Sequence, residues 1–141
     1  MTLIIGSDHA GVALKQALRQ HLEKKGLAVQ DVGPTSTESV DYPDFARLVT
    51  TAVLEQSSNV GILICGSGIG MSIAANKVKG IRAALVTSVE MAQMTKRHNN
   101  ANVLCLSARM VPEDTNLAMV DAWLNEEFEG GRHQRRLDKI E

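Results

Sequence analysis

Aromatic rings are scarce in this sequence, which has one Trp, one Tyr and two Phe among 141 residues. Surfaces that stack the bases of single-stranded nucleic acid are built from such rings, so that function class is disfavoured. Excess charge is missing as well. Fifteen Lys and Arg against sixteen Asp and Glu leave a formal net charge of -1, so no overall field draws nucleic acid or an anionic membrane, and any anion has to be bound locally. The N-terminal MTLIIGSDHAG lacks the basic region and long apolar stretch of a secretory leader, and no apolar run approaches a bilayer span. A cytoplasmic setting is the expectation. Two cysteines without CxxC spacing and four histidines without HxxxH spacing offer neither a disulfide framework nor a metal motif, and a reducing compartment leaves both thiols free. Internal repeats, low-complexity tracts and linkers are absent too. The length suits one domain over residues 1–141.

Short apolar runs rich in β-branched residues recur at Leu3 to Ile5, Ala28 to Val32, Val60 to Cys65, Ala83 to Val86 and Val103 to Leu106. Each has the length of a buried strand. Helical patterns separate them. Leu14, Leu18 and Leu22 repeat every fourth residue between Gly11 and Lys25, with Gly26 as the stop. Phe45, Leu48, Val49, Ala52 and Val53 follow the i, i+3, i+4, i+7, i+8 rule after Pro43 at a first helical position. Further helices are predicted at Met71 to Lys77, Ser88 to His98 and Pro112 to Asn125, with a helical tail from about residue 130. This alternation predicts a three-layer α/β fold in which a five-stranded parallel sheet carries helices on both faces. Ligands of such sheets lie beyond the carboxyl ends of the strands, so the loops there are the place to look for chemistry.

The third strand runs VGILIC directly into GSGIG, which sets Cys65 at a strand end before Gly66, Ser67, Gly68 and Gly70. Amides of a glycine-rich turn can converge on one concavity, and the start of the next helix adds partial positive charge. That field suits an oxyanion and also stabilises a thiolate, as a cysteine base or nucleophile requires. In isolation a cysteine ending an apolar strand is more often a small core residue, and Cys105, with no glycine after it, keeps that reading. Dinucleotide binding is discounted. The turn is GxGxG rather than GxGxxG, it follows the third strand, and Val86, Thr87 and Ser88 stand where a ribose-binding acid would be needed. No GK[ST] follows for a nucleoside triphosphate.

Asp8 and His9 lie together after the first strand, although Asp is equally a helix cap and His a turn residue. His98 and Asn99 end the fourth helix, where an ordinary cap is the commoner role. His21, mid-helix, reads as structural. In the tail, Arg132 and Arg136 are four apart and would share one helix face after Gly130 and Gly131. Paired guanidinium groups match a phosphate, while the alternative is a solvated charge run. Arg109, just past the fifth strand, is a third cationic candidate.

These segments occur as DHAG from Asp8, DYPDFA from Asp41, GILICGSGIGMSIAANK up to Lys77, GIRAAL from Gly80, RHNNANVL from Arg97, SARMV from Ser107 and EGGRHQRR from Glu129. In that order they resemble the ribose-5-phosphate isomerase B family, which includes allose-6-phosphate and galactose-6-phosphate isomerases. The resemblance implies a Rossmann-like, metal-free and cofactor-free isomerase of a phosphosugar. It also implies a homodimer or dimer of dimers with active sites shared between subunits. Matched by motif, Cys65 would be the base, Ser67 its hydroxyl partner, and His98 with Asp8 the pair that opens the sugar ring. His9, Arg109, Arg132 and Arg136 would hold phosphate, Tyr42 and Asn99 would touch sugar, and the amides of Gly66, Gly68 and Gly70 would meet the enediolate. Ser67 replaces the Thr common in the family, and Met71 and Ser72 stand where some members carry a glutamate base. A six-carbon phosphosugar as substrate, or a non-catalytic phosphosugar sensor, are the competing readings.

Overall fold

Strand alternation accounts for the layering of the molecule. In a computed structural model that describes all 141 residues, Leu3 and Ile5 of the first strand point into one apolar cluster and Ile4 into another. Leu104 and Leu106 against Val103 and Cys105 repeat the pattern in the last strand. The strands are β1 (Leu3–Ser7), β2 (Val29–Asp31), β3 (Val60–Cys65), β4 (Ala83–Leu85) and β5 (Val103–Ser107), all parallel in the order β2-β1-β3-β5-β4. The helices are α1 (Val12–Lys24), α2 (Tyr42–Leu54), α3 (Ile69–Asn76), α4 (Val89–Arg97), α5 (Glu113–Leu124) and α6 (Arg132–Asp138), and a 3-10 turn spans His9–Gly11. This is the three-layer α/β arrangement that the alternation predicted, and it is Rossmann-like, as the resemblance implied.

One cluster packs Leu14, Leu18 and Leu22 of α1, Ala92 of α4 and Trp123 of α5 against one sheet face. The opposite face carries Val49 and Val53 of α2 with Met71 and Ala75 of α3. Each fully buried Leu, Ile or Val contributes about 1.5–3 kcal/mol, which makes these two interfaces the main source of stability. Two strand glycines let α2 lie close to the sheet: a Cβ at Gly6 or at Gly61 would come within 2.7 Å of the Val49 side chain. His21 has the structural role expected of it. Its Nε2 is 2.9 Å from both carboxylate oxygens of Asp121, joining α1 to α5. No helix is long and apolar enough to cross a membrane.

Boundaries differ from the predicted ones by a residue or two, most clearly at α3, which starts at Ile69 rather than Met71. Gly68, left-handed at φ 78°, makes the turn from strand to helix, and Gly70 is already helical. Apolar periodicity does not register glycines. The chain leaves β1 toward β2 on one side and β3 toward β4 on the other, so the carboxyl ends of β1 and β3 flank the point where ligands of such sheets bind.

Candidate active site

Cys65, the last residue of β3, is buried, and its Sγ accepts the backbone N–H of Gly68 at 3.1 Å. Gly68 can hardly be anything else. Its left-handed φ disfavours a side chain, and a Cβ there would lie 2.6 Å from Leu85 Cδ1 and 3.1 Å from the Leu106 carbonyl. Gly66 and Gly70 are bare for a different reason. The Arg109 guanidinium lies over Gly66, 3.1 Å from where a Cβ would stand, and the Tyr42 ring lies over Gly70 at 2.7 Å. The glycine run thus bends the chain and also seats two large side chains beside the thiol.

A cleft of about 360 Å³ brings together Asp8, Tyr42, Cys65, Gly66, Ser67, Gly70 and Arg109. Asp8 follows β1, and its N–H donates to the Ile64 carbonyl at 3.0 Å, which fixes it beside β3. Its Oδ1 accepts from Ala10 and Gly11 at 2.9 and 3.2 Å, so the capping role coexists with the position in the cleft. Ser67 Oγ accepts from the Ile69 N–H at 3.2 Å, at the start of α3, rather than bonding the sulfur. His9 sits on the 3-10 turn, where Val40 N–H donates to its Nδ1 at 3.2 Å and leaves Nε2 as the protonated nitrogen of the neutral ring. Met110, 73% exposed, also lines the cleft and was not singled out from the sequence. Only its place after Arg109 could have suggested it.

His98, Asn99, Arg132 and Arg136 do not line this cleft. Asn99 borders a hollow of about 420 Å³ beside the edge strand β4, together with Arg82, Leu137 and Ile140. The His98 ring stacks on His133 with centroids 4.4 Å apart and planes 11° from parallel. Glu129 Oε1 lies 3.8 Å from His98 Nε2 and 3.5 Å from His133 Nε2. These ligand-type atoms fall within 4.8 Å of one another. Near-parallel rings nevertheless aim their lone pairs along separate planes, so a single ion cannot lie in both, and the cluster is better suited to protons than to a metal. Burial first, then the charges of His98, Arg132 and Arg136, hold the His133 imidazole below its ordinary value against the opposing pull of Glu129. Arg97 ties this region together through Nε and Nη2 bonds of 2.8 and 2.9 Å to Glu126. The stack was not anticipated, although Glu129 and His133, four apart on either side of the two glycines, were a visible signal.

Cys105 is fully buried, and burial, followed by the nearby Cys65, pushes its thiol well up. Both cysteines are free.

A cysteine, a carboxylate and an arginine converge on a glycine turn at the switch point of a parallel sheet, in a cleft of the size that takes a small molecule. The family model described as Ribose/Galactose Isomerase matches residues 3–140, and the chain belongs to that family of isomerases. Ribose-5-phosphate isomerase B of Escherichia coli is 44% identical over 138 residues, covering 98% of this chain and 93% of that protein. The crystal structure of ribose-5-phosphate isomerase B from Mycoplasma genitalium with bound ribulose 5-phosphate superposes with a TM-score of 0.96 at 51% identity, covering 99% and 93% of the two chains. The Thermotoga maritima ribose 5-phosphate isomerase gives 0.96 at 47% identity, with 99% and 96% covered.

Proposed function

We propose that the chain interconverts ribose 5-phosphate and ribulose 5-phosphate by proton transfer through an enediolate, with Cys65 as the base. The observation that carries this reading is the Gly68 N–H on the Cys65 sulfur, in a cleft that also holds Asp8 and Arg109. A thiolate accepts such a bond more strongly than a thiol does. The ribulose 5-phosphate bound by the Mycoplasma genitalium relative supplies the substrate class.

The cyclic sugar has to open first. His98 and Asp8 would exchange protons with the ring oxygen and the anomeric hydroxyl, and a histidine titrates in the useful range. Cys65 would then take the proton from carbon 2 while the amides of Gly66 and Gly70 meet the developing enediolate oxygen. The Gly68 N–H, expected to join them, is instead given to the Cys65 sulfur, and each free donor is worth roughly 3–4 kcal/mol in other enzymes. Return of that proton to carbon 1, with the hydroxyl proton on O2 passing to O1, leaves a carbonyl at carbon 2 and gives the ketose. Ser67 would steady the loop through its bond to Ile69, and Tyr42 and Asn99 would contact the sugar. His9, Arg109, Arg132 and Arg136 would bind phosphate.

Because His98, Asn99, Arg132 and Arg136 lie away from the cleft of their own chain, a second copy would supply them, in a dimer or dimer of dimers. The apolar hollow beside β4 and the exposed Ile69, Ile73 and Ile140 give that copy a surface to cover. A cytoplasmic setting suits two free thiols.

A coupled assay comparing ribose 5-phosphate with allose 6-phosphate and galactose 6-phosphate tests the reaction, and Cys65→Ala tests the base. Turnover confined to a six-carbon sugar refutes the substrate, and an active Cys65→Ala refutes the mechanism.

A further inference from the structure

The ladder between β3 and β5 pairs Cys65 with Ser107, and beyond that pair the two strand ends remain bonded to each other. Ala108 N–H donates to the Cys65 carbonyl at 2.9 Å and Arg109 N–H to the Gly66 carbonyl at 3.0 Å. The Ser107 hydroxyl, 1% exposed, closes the arrangement by donating to the same Gly66 carbonyl at 2.7 Å and accepting from Met110 N–H at 2.9 Å. From below, the fully buried Asn116 of α5 donates through Nδ2 to the carbonyls of Ser107 and Val111, at 3.0 and 3.3 Å.

We infer that Ser107, seconded by Asn116, is a positioning residue for the isomerase reaction, a clamp that sets the distance between the Cys65 glycine loop and the turn carrying Arg109. The two segments it joins form facing parts of one cleft, and the Arg109 guanidinium already rests on Gly66. A sliding turn would carry the cation, and a phosphate held by it, relative to the sulfur. Displacements of about 1 Å between a bound group and the reacting atoms cost on the order of 100-fold in rate. A hydroxyl that donates and accepts at once fixes both sides of such a joint, which an apolar side chain of equal size cannot do.

The inference rests on the Cys65 cleft being the active site, and the test separates the two ideas. Ser107→Ala changes little volume. Gly66 keeps its bond from Arg109, and the released Met110 N–H belongs to an exposed residue that water can reach, so the variant is expected to fold. Assayed on ribose 5-phosphate, it should lose about 10- to 100-fold in kcat/KM, with KM raised and kcat lowered together. Ser107→Thr, which retains the hydroxyl, should recover most of the loss. On the unaltered enzyme, hydrogen exchange followed by NMR should find the Arg109 and Met110 amides protected. The clamp is overturned if Ser107→Ala keeps wild-type kcat and KM while only its melting temperature drops, if Thr rescues nothing, or if the two amides exchange like those of a free loop. An active Cys65→Ala measured alongside would refute the cleft itself, whereas an inactive one beside a fully active Ser107→Ala would refute the clamp alone.

Discussion

The imidazole rings of His98 and His133 stack face to face, 4.4 Å apart, with Glu129 at their edge and two arginines close by. Two protonated rings would repel at that spacing, and it is the buried His133 whose hold on a proton is weakened.

Its titration gives a pH prediction with a definite sign. The folded state holds His133 below its unfolded value of about 6.5, so below that pH the unfolded chain binds more protons than the folded one. The His133 contribution to stability is complete above that value and is lost as pH falls through the window beneath it. Melting temperature measured from pH 7.5 down to 5 should fall, and His133→Phe, which keeps a buried ring without a proton, should flatten the decline. Equal slopes for the two proteins would remove His133 as the cause.

The two cysteines should separate cleanly. Cys65→Ala should abolish turnover and leave a folded protein, whereas Cys105→Ala should cost about 1 kcal/mol in denaturant unfolding and retain kcat. Iodoacetamide should modify Cys65 first, because Cys105 is enclosed in the core and its thiol is pushed upward. Faster labelling of Cys105 would contradict the assignment.

Shared sites can be tested by mixing two inactive proteins. Arg132→Ala and Arg136→Ala should each raise KM for ribose 5-phosphate and lose most of the preference over unphosphorylated ribose, while Arg135→Ala changes little. If those arginines act across the dimer, equal amounts of Cys65→Ala and an Arg132→Ala, Arg136→Ala double variant should, after subunit exchange, give about a quarter of wild-type activity. Half the dimers are then mixed, and each holds one intact site. No recovery would place the arginines in the cleft of their own chain or outside the reaction.

Glycines in the same loop should fail in different ways. Gly68→Ala opposes a left-handed φ and a backbone contact, so destabilisation of about 1–2 kcal/mol is expected by thermal unfolding. Gly66→Ala meets only the flexible end of Arg109, so its effect should appear in KM more than in melting temperature. The reverse ranking would mean that the loop is not held as described.

Sequence patterning located the five strands and α1 to α5 to within a residue or two, because a parallel sheet covered on both faces makes most of its strands short apolar runs. The 3-10 turn at His9–Gly11 carries no such signal, and the tail helix shows only in its arginine spacing. The strand-end rule likewise placed Asp8, Cys65 and Arg109 at one rim. Strand order was not legible, since local patterns say nothing about which buried edges pair. That order, with β5 between β3 and β4, is what sets Arg109 on Gly66. The His98 and His133 stack escaped for a similar reason, as it forms only when the tail folds back on the end of α4. The spacing of Arg132 and Arg136 revealed their common face but not its distance from Cys65.

Inserting the last strand into the interior of the sheet has a consequence for synthesis. As the chain leaves the ribosome, β3 keeps an open apolar edge until residues 103–107 have emerged, because β4 alone does not pair with it. Release or stalling between Leu85 and Val103 would leave a sticky, unfinished sheet for chaperones or proteases to handle. Completing the strand seals that edge and, with the same few residues, brings Arg109 to the cleft, so Cys65 gains this neighbour later than Asp8 and Tyr42.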